Sequence, residues 1–416
     1  MKQHEQLFLE ALKASLDNKK VSWDFEITQE TWRGLFELAI AQKVLPLIFE
    51  AVYACPAVRS TEFSFYNLVK RRCIENMLIQ TKKTAEFLQV YQTLQENHVT
   101  PLVVKGILCR SLYPNPDLRA SADEDLLVKE NEFSQSRKVL ESCGLHRTEP
   151  ERDAKTADEL GFLSEKGAAY IELHKSLFST SSDLWSEMNG IFANIWEETV
   201  TVNVQGVDIC TMEPTMHLLY LICHAFKHFI FSGFGIRQVC DIVMFANAYG
   251  AQIDWQWLFA QCEAIRAEVF AAALFKIGKN HLNFDEEKAC YPNEWFAAAP
   301  DETDLLLELL ESGIYGGATM SRKHSSNMTL NAMETQKRGK KSGNPILASV
   351  FPGTKKLENQ YNYLKKRPYL LPVAWGERLI KYYKETLKTE NNHARNSINI
   401  GNQRIELLKA YGILEE

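Results

Sequence analysis

Positive charge is what this chain lacks if it is to bind polyanions generally. Its 416 residues hold 47 Lys and Arg against 53 Asp and Glu, a formal net charge of −6. Global charge therefore gives no pull toward nucleic acid, and a phosphate site has to be built locally. Cysteine is present but unorganised: nine residues, an odd number, with no Cys-x-x-Cys spacing. That argues against a disulfide framework and a thiolate zinc site, and for a reducing, cytoplasmic setting. Long apolar runs are also missing. The N-terminal "MKQHEQLFLEALKASLDNKK" is amphipathic and carries acids, unlike the apolar region of a signal peptide. The most apolar segment, "MHLLYLICHAFKHFIFSGFGI", is interrupted by three histidines and a lysine. It predicts a buried helix, not a membrane span. There is no internal repeat and no sustained low-complexity tract.

What is there is an ordinary globular mix, 45 % hydrophobic and 24 % charged, long enough for one large core or two to three smaller ones. Residues 1–97 read as helical. Thr28, followed by Glu30 and Thr31, opens "TQETWRGLFELAIAQKVLPLIFEAVYA" with a capping pattern. A long helix follows over about 63–97. The period then changes. Over 98–212, short β-rich runs ("PLVVK", "EDLLVK", "LGFLSE", "AAYIELHKSL") alternate with short helices. A turn is expected at Lys166-Gly167, and "TVTVNVQGVDICTM" predicts a hairpin across Gln205-Gly206. Residues 213–314 read as helical again, with Asp254 capping a helix before Trp255. Residues 315–356 gather Arg322, Lys323, Lys337, Arg338, Lys340, Lys341, Lys355 and Lys356 against Glu334, which predicts a mobile basic loop. Residues 357–416 form a last helical part. The expected fold is α+β: a small mixed sheet embedded between mostly helical N- and C-terminal regions.

The informative stretch is "VVKGILCRSLYPNPDLRASADEDLLV", Val103 to Val128. Three acids, Asp123, Glu124 and Asp125, stand directly before Leu126-Leu127-Val128, and charge is expensive at the mouth of a buried strand. In a strand, Asp123 and Asp125 share a face while Glu124 points away. Two carboxylates on one face suit Mg²⁺ (or Mn²⁺), a hard ion that takes its remaining ligands from water and phosphate. A two-metal site needs a further acid, and Glu172 in "YIELHKSL" is the candidate, with His174 on the same face. Upstream, Gly106 at a strand-to-helix turn lets backbone N–H groups approach phosphate. Lys105 and Arg119 add positive charge beside it. Taken singly, these residues have plainer readings: a solvated turn for the two aspartates, a helix-start glycine, a lysine partner for Glu172.

Together they resemble the polymerase-beta-type nucleotidyltransferase superfamily. "VVKG…LYPNPDLRASADEDLLV" is similar to the signature of the uncharacterised bacterial nucleotidyltransferase family of the NTP_transf_5 type, and the abortive-infection nucleotidyltransferase toxins carry a related pattern. The similarity continues through "IELH" at 171–174, "HLLYLICHAFKH" at 217–228, "RQVCDIV" at 237–243 and "YLLPVAWGERL" at 369–379. The resemblance implies a nucleotidyltransferase core in which Asp123 and Asp125 are the metal pair and Glu172 the third acid. Lys105 and Gly106 match its nucleotide-phosphate turn. Ile107 stands where the superfamily commonly has Gly or Ser, and Glu172 where Asp is frequent in the family.

The expected activity is transfer of a nucleoside monophosphate from an NTP to an acceptor, with release of pyrophosphate. A small-molecule or protein acceptor is favoured over RNA, and no membrane is implicated. The alternatives are a nucleotide-binding regulatory or interaction protein that has lost turnover, for which Ile107 and Glu172 speak, and a toxin-like enzyme that modifies RNA, for which the basic loop speaks. His217, His224 and His228 share one helical face. They are read as core or interface histidines, and Lys227, Arg237 and Asp241 as framework charges. The base and the acceptor are not written in the sequence.

Overall fold

In the computed structural model every residue is described except 61, 152, 155, 156, 166, 167, 181–184, 187, 232, 313–319, 338–350, 358–360, 362, 389–393 and 416. Two compact units emerge. One comprises Met1–Ala225 with Ile236–Glu302, the other Phe226–Gly235 with Thr303–Glu416. The changes of period near 97 and 212 thus mark changes of secondary structure inside the first unit.

The first unit is built on a five-stranded mixed sheet: β1 (Leu102–Val103), β2 (Glu124–Leu127), β3 (Leu145–Arg147), β4 (Glu159–Ser164) and β5 (Tyr170–His174), in the spatial order β1-β2-β5-β4-β3. Strands β2 and β5 run parallel, and their register sets Asp125 beside Glu172 and Leu127 beside His174. The other neighbours are antiparallel. Period-two alternation then sorts the side chains. Leu126, Ile171 and Leu173 enter the hydrophobic core with Val103, Leu160 and Phe162, so Asp125, Glu172 and His174 lie on the opposite face. A separate hairpin, β6 (Thr199–Val204) and β7 (Val207–Met212), turns at Gln205-Gly206 as expected, with φ of 51° and 88° at those two residues. Glycine and a polar neighbour suit that left-handed pair of conformations.

The helices that accompany this sheet are α1 to α4 (Gln3–Leu16, Gln29–Ala41, Leu45–Val52, Phe63–Glu96), α5 and α6 (Ile107–Ser111, Phe133–Ser142), α7 (Met188–Ile191), and α8 to α12 (Pro214–Phe231, Ile236–Tyr249, Trp255–Ala264, Glu268–His281, Glu294–Ala298). Thr28 caps α2 by accepting from the Thr31 N–H at 3.2 Å, and Asp254 caps α10 by accepting from the Trp257 N–H at 2.9 Å. Along α4, Phe87, Leu88, Tyr91 and Leu94 form the buried stripe that joins the sheet core, the spacing of an amphipathic helix. The Tyr91 hydroxyl donates to the Pro101 carbonyl and accepts from the Cys210 N–H, each at 2.9 Å. It thereby fixes the entry to β1 against β7. The apolar segment over 216–236 is indeed a helix in most of its length, with Leu218, Leu219, Ile222 and Cys223 buried. Among the described residues no helix is long and apolar enough to cross a membrane.

In the second unit, α13 (Thr303–Ser312) is followed by α14 (Met320–Lys337). The expected basic loop over 315–356 is corrected in part, because residues 320–337 of it form this helix. Ser326, Met328 and Thr329 are buried, and α14 packs against the helix Ala394–Ala410. A side chain on Gly401 would overlap the Met328 sulfur, so glycine there permits the close approach. Arg338, Lys340 and Lys341 lie outside the described residues, as does the expected turn at Lys166-Gly167.

Candidate active site

Asp125 is the centre of the site. It is 3 % exposed. Its near neighbours are cations. Lys105 Nζ lies 3.1 Å from Oδ2, and His174 Nε2 lies 3.4 Å from Oδ1. Burial alone would raise the Asp125 carboxyl, but Lys105 and His174 outweigh it and hold the group well below the usual carboxylate range. Both cations respond in kind. Burial works against the Lys105 ammonium, yet Asp125 and Asp123 hold it above its ordinary value. Burial works against the His174 imidazolium too, yet Asp125 and Glu172 push it up to about 9.

One ligand atom each from Asp125, Glu172 and His174 lie within 4.8 Å of one another. The parallel register of β2 and β5 brings the two acids together, and period two places His174 beside Glu172. Asp123 stands just before β2 and is half-buried. It is outside the tight cluster, but its charge reaches Lys105, Tyr170 and Tyr220. From α8, His224 Nε2 sits 3.3 Å from Lys105 Nζ, and the buried Tyr220 ring lies 5.9 Å from the His224 ring. His224 and Tyr220 therefore wall the site, which the sequence reading missed for both. Only their placement on the apolar helix "HLLYLICHAFKH" hinted at it.

Two expected phosphate contacts are used differently. Gly106 has φ 59° and ψ −113°, a conformation favourable only to glycine. At this turn the Ile107 N–H donates to Glu124 Oε2 at 2.7 Å. Glu124 in turn accepts from Arg110 Nη1 at 2.6 Å, and Arg110 Nη2 donates to Thr84 Oγ1 at 3.3 Å. The acid that points away from the site thus anchors the turn from behind. Arg119, the other expected phosphate residue, has a partner inside the protein. It is 2 % exposed and grips Asp241 of α9 bidentately, Nε donating to Oδ1 at 3.0 Å and Nη2 to Oδ2 at 2.5 Å. Tyr113 donates to the same carboxylate at 2.8 Å. The guanidinium thereby ties the loop that carries it to α9.

The brace continues into the loop that carries Asp123. Arg237 Nη1 donates to the Ala120 carbonyl at 2.5 Å. Lys83 Nζ donates to the carbonyls of Ser121 and Ala122 at 3.0 and 3.2 Å, and Gln80 Oε1 accepts from the Ser121 N–H at 2.8 Å. Helices α4 and α9 therefore hold the loop from two sides, which agrees with reading Arg237 and Asp241 as framework charges.

His217 also matches the framework reading. Its Nε2 is 2.8 Å from the Val104 carbonyl, its Nδ1 is 3.3 Å from Thr211 Oγ1, and its ring packs on Phe245. Burial pushes the imidazole down to about 4, although the Val104 carbonyl favours the charged form. The unfolded chain therefore binds a proton near pH 6.5 that the folded chain refuses until about pH 4. Stability present above pH 6.5 should be lost as pH falls through that window, by about 3 kcal/mol in full. Melting followed from pH 7 to 4.5 should fall more steeply in wild type than in His217→Gln. Parallel curves would mean His217 is not the group responsible.

The chain belongs to the family described as "Uncharacterised nucleotidyltransferase", whose profile matches residues 28–283, more than half of its length. Among solved structures it is similar to an antigenic nucleotidyltransferase-like protein from Paracoccidioides brasiliensis. That likeness has 13 % identity and a TM-score of 0.29, and covers 50 % of this chain and 95 % of the other. No curated protein matches the chain.

Proposed function

We propose that the chain transfers a nucleoside monophosphate from an NTP to an acceptor and releases pyrophosphate. The observation that carries this is the buried Asp125 carboxylate, facing Glu172 across a parallel pair of strands with Lys105 at its other oxygen. Ligand atoms of Asp125, Glu172 and His174 that converge within 4.8 Å of one another fit a divalent cation. Asp123, Asp125 and Glu172 are the carboxylates that would hold Mg²⁺ or Mn²⁺. The bound ion would neutralise charge on the phosphates during in-line displacement.

The chain's own residues supply the rest. Lys105 is the phosphate residue. Its ammonium now balances Asp125, and an arriving triphosphate offers it a stronger anion. Glu172, half-buried beside Asp125, would complete the metal site or, as the alternative, help deprotonate the acceptor. Gly106 acts by admitting Glu124 behind the turn, and Arg119 by holding the loop that bears Asp123. Tyr220 and His224 close one wall and limit water there.

The direct test is a screen of the four NTPs for metal-dependent pyrophosphate release, with cell extract as the acceptor source. Nucleotide binding with no pyrophosphate from any NTP would favour the regulatory alternative instead. Lys105→Ala should shrink the melting shift produced by NTP several-fold while the protein still folds. An unchanged shift would make the Lys-Gly turn structural. The acidic net charge favours a small-molecule or protein acceptor. Tight RNA binding that weakens steeply with salt, and disappears when Lys337, Arg338, Lys340 and Lys341 become Ala, would reverse that preference.

A further inference from the structure

His174 does not fit the all-oxygen site that a nucleotidyltransferase needs for Mg²⁺. It is 8 % exposed, and its Nε2 lies between two acids. Asp125 Oδ1 lies at 3.4 Å and Glu172 Oε2 at 3.6 Å. The other ring nitrogen is engaged from behind. Glu159 stands opposite His174 in the antiparallel β4–β5 register, and its Oε2 is 3.5 Å from Nδ1. A carboxylate at one imidazole nitrogen, with the other directed into a cluster of acids, is the arrangement that orients a metal-binding histidine and strengthens it as a donor.

We infer that His174 is a nitrogen ligand of the metal site, held by Glu159, and that the site consequently selects first-row transition ions over Mg²⁺. This rests on the metal site assigned above but not on the reaction. Mg²⁺ takes hard oxygen donors and gives up water reluctantly. An imidazole adds little for Mg²⁺ but binds first-row transition ions well. The metal takes the Nε2 lone pair in place of a proton. Glu159 touches neither Asp125 nor the phosphate residue in this arrangement, so it is a positioning residue.

The test uses the full chain without nucleotide. Mn²⁺ binding is read from the loss of the free-ion electron paramagnetic resonance signal, with Mg²⁺ as competitor. Wild type should bind Mn²⁺ at least ten times more tightly than Mg²⁺. His174→Gln should lose Mn²⁺ affinity by ten- to a hundred-fold and leave Mg²⁺ competition nearly unchanged, while Glu159→Gln should give a smaller loss in the same direction. Glu159 is at the surface, so its variant remains informative if His174→Gln does not fold. Equal Mn²⁺ and Mg²⁺ affinity in wild type, unchanged Mn²⁺ binding in both variants, or no Mn²⁺ binding would each overturn the inference. Pyrophosphate release measured on the same preparations separates that failure from failure of the nucleotidyltransferase reading.

Discussion

Asp125→Asn should lower pyrophosphate release by a factor on the order of 10³ or more, with only a small change in melting temperature. The substitution keeps the shape and removes one negative charge from the centre of the site. Asp125 is the group on which everything converges: Lys105 at one oxygen, His174 at the other, Glu172 in register on β5. Removing one partner of a buried ion pair is usually expensive, because the other charge is left without compensation. Here compensation remains. Lys105 still feels Asp123 and Glu172, and His174 keeps Glu172 and Glu159. Fold and activity should therefore separate in this variant. Asp123→Asn should also abolish transfer, being the second acid of the expected pair. Measured together, release and melting distinguish the outcomes. Near wild-type release in Asp125→Asn would remove the central residue from the chemistry.

The parts that were legible in the sequence are those written in local periodicity. The β2 and β5 strands, the hairpin at Gln205-Gly206 and the caps at Thr28 and Asp254 follow from neighbours a few residues apart. Period two also separated Asp125 from Glu124 correctly. What was not legible depends on partners far along the chain. Arg119 looked available for a ligand although Asp117 and Asp123 are near it in sequence; the acid that takes it is Asp241, 122 residues away. Glu124 looked like a by-product of the Asp-x-Asp pattern, because Arg110 and the Ile107 N–H meet it only after β1 and β2 have paired. Tyr220 and His224 carry the ordinary signature of an apolar helix, and only tertiary placement turns them to Lys105. In the basic segment, charge dominates the composition and conceals Met328, whose burial makes α14 part of a packed pair of helices. A motif can mark a site while leaving the division of labour inside it unwritten.

Gly106→Ala should destabilise the protein by about 3–5 kcal/mol, the sum of backbone strain and a disturbed buried hydrogen bond. Two independent features make the position intolerant. The backbone at φ 59°, ψ −113° lies outside the regions that residues with a Cβ readily occupy. The space is also taken: a Cβ on Gly106 would overlap Glu124 Oε2 and crowd the rest of that carboxylate. Relief by moving Glu124 would break its bonds to the Ile107 N–H and to Arg110, leaving a fully buried guanidinium short of its main partner. That cost distinguishes two roles for the glycine. If Gly106 served only to bring backbone close to a phosphate, alanine would weaken NTP binding and leave the ligand-free protein nearly as stable as before. If it admits Glu124, the loss appears without any nucleotide. Denaturant unfolding of the ligand-free variant decides between them, and a loss below about 1 kcal/mol would show that the turn accommodates a side chain and that Glu124 is not its anchor.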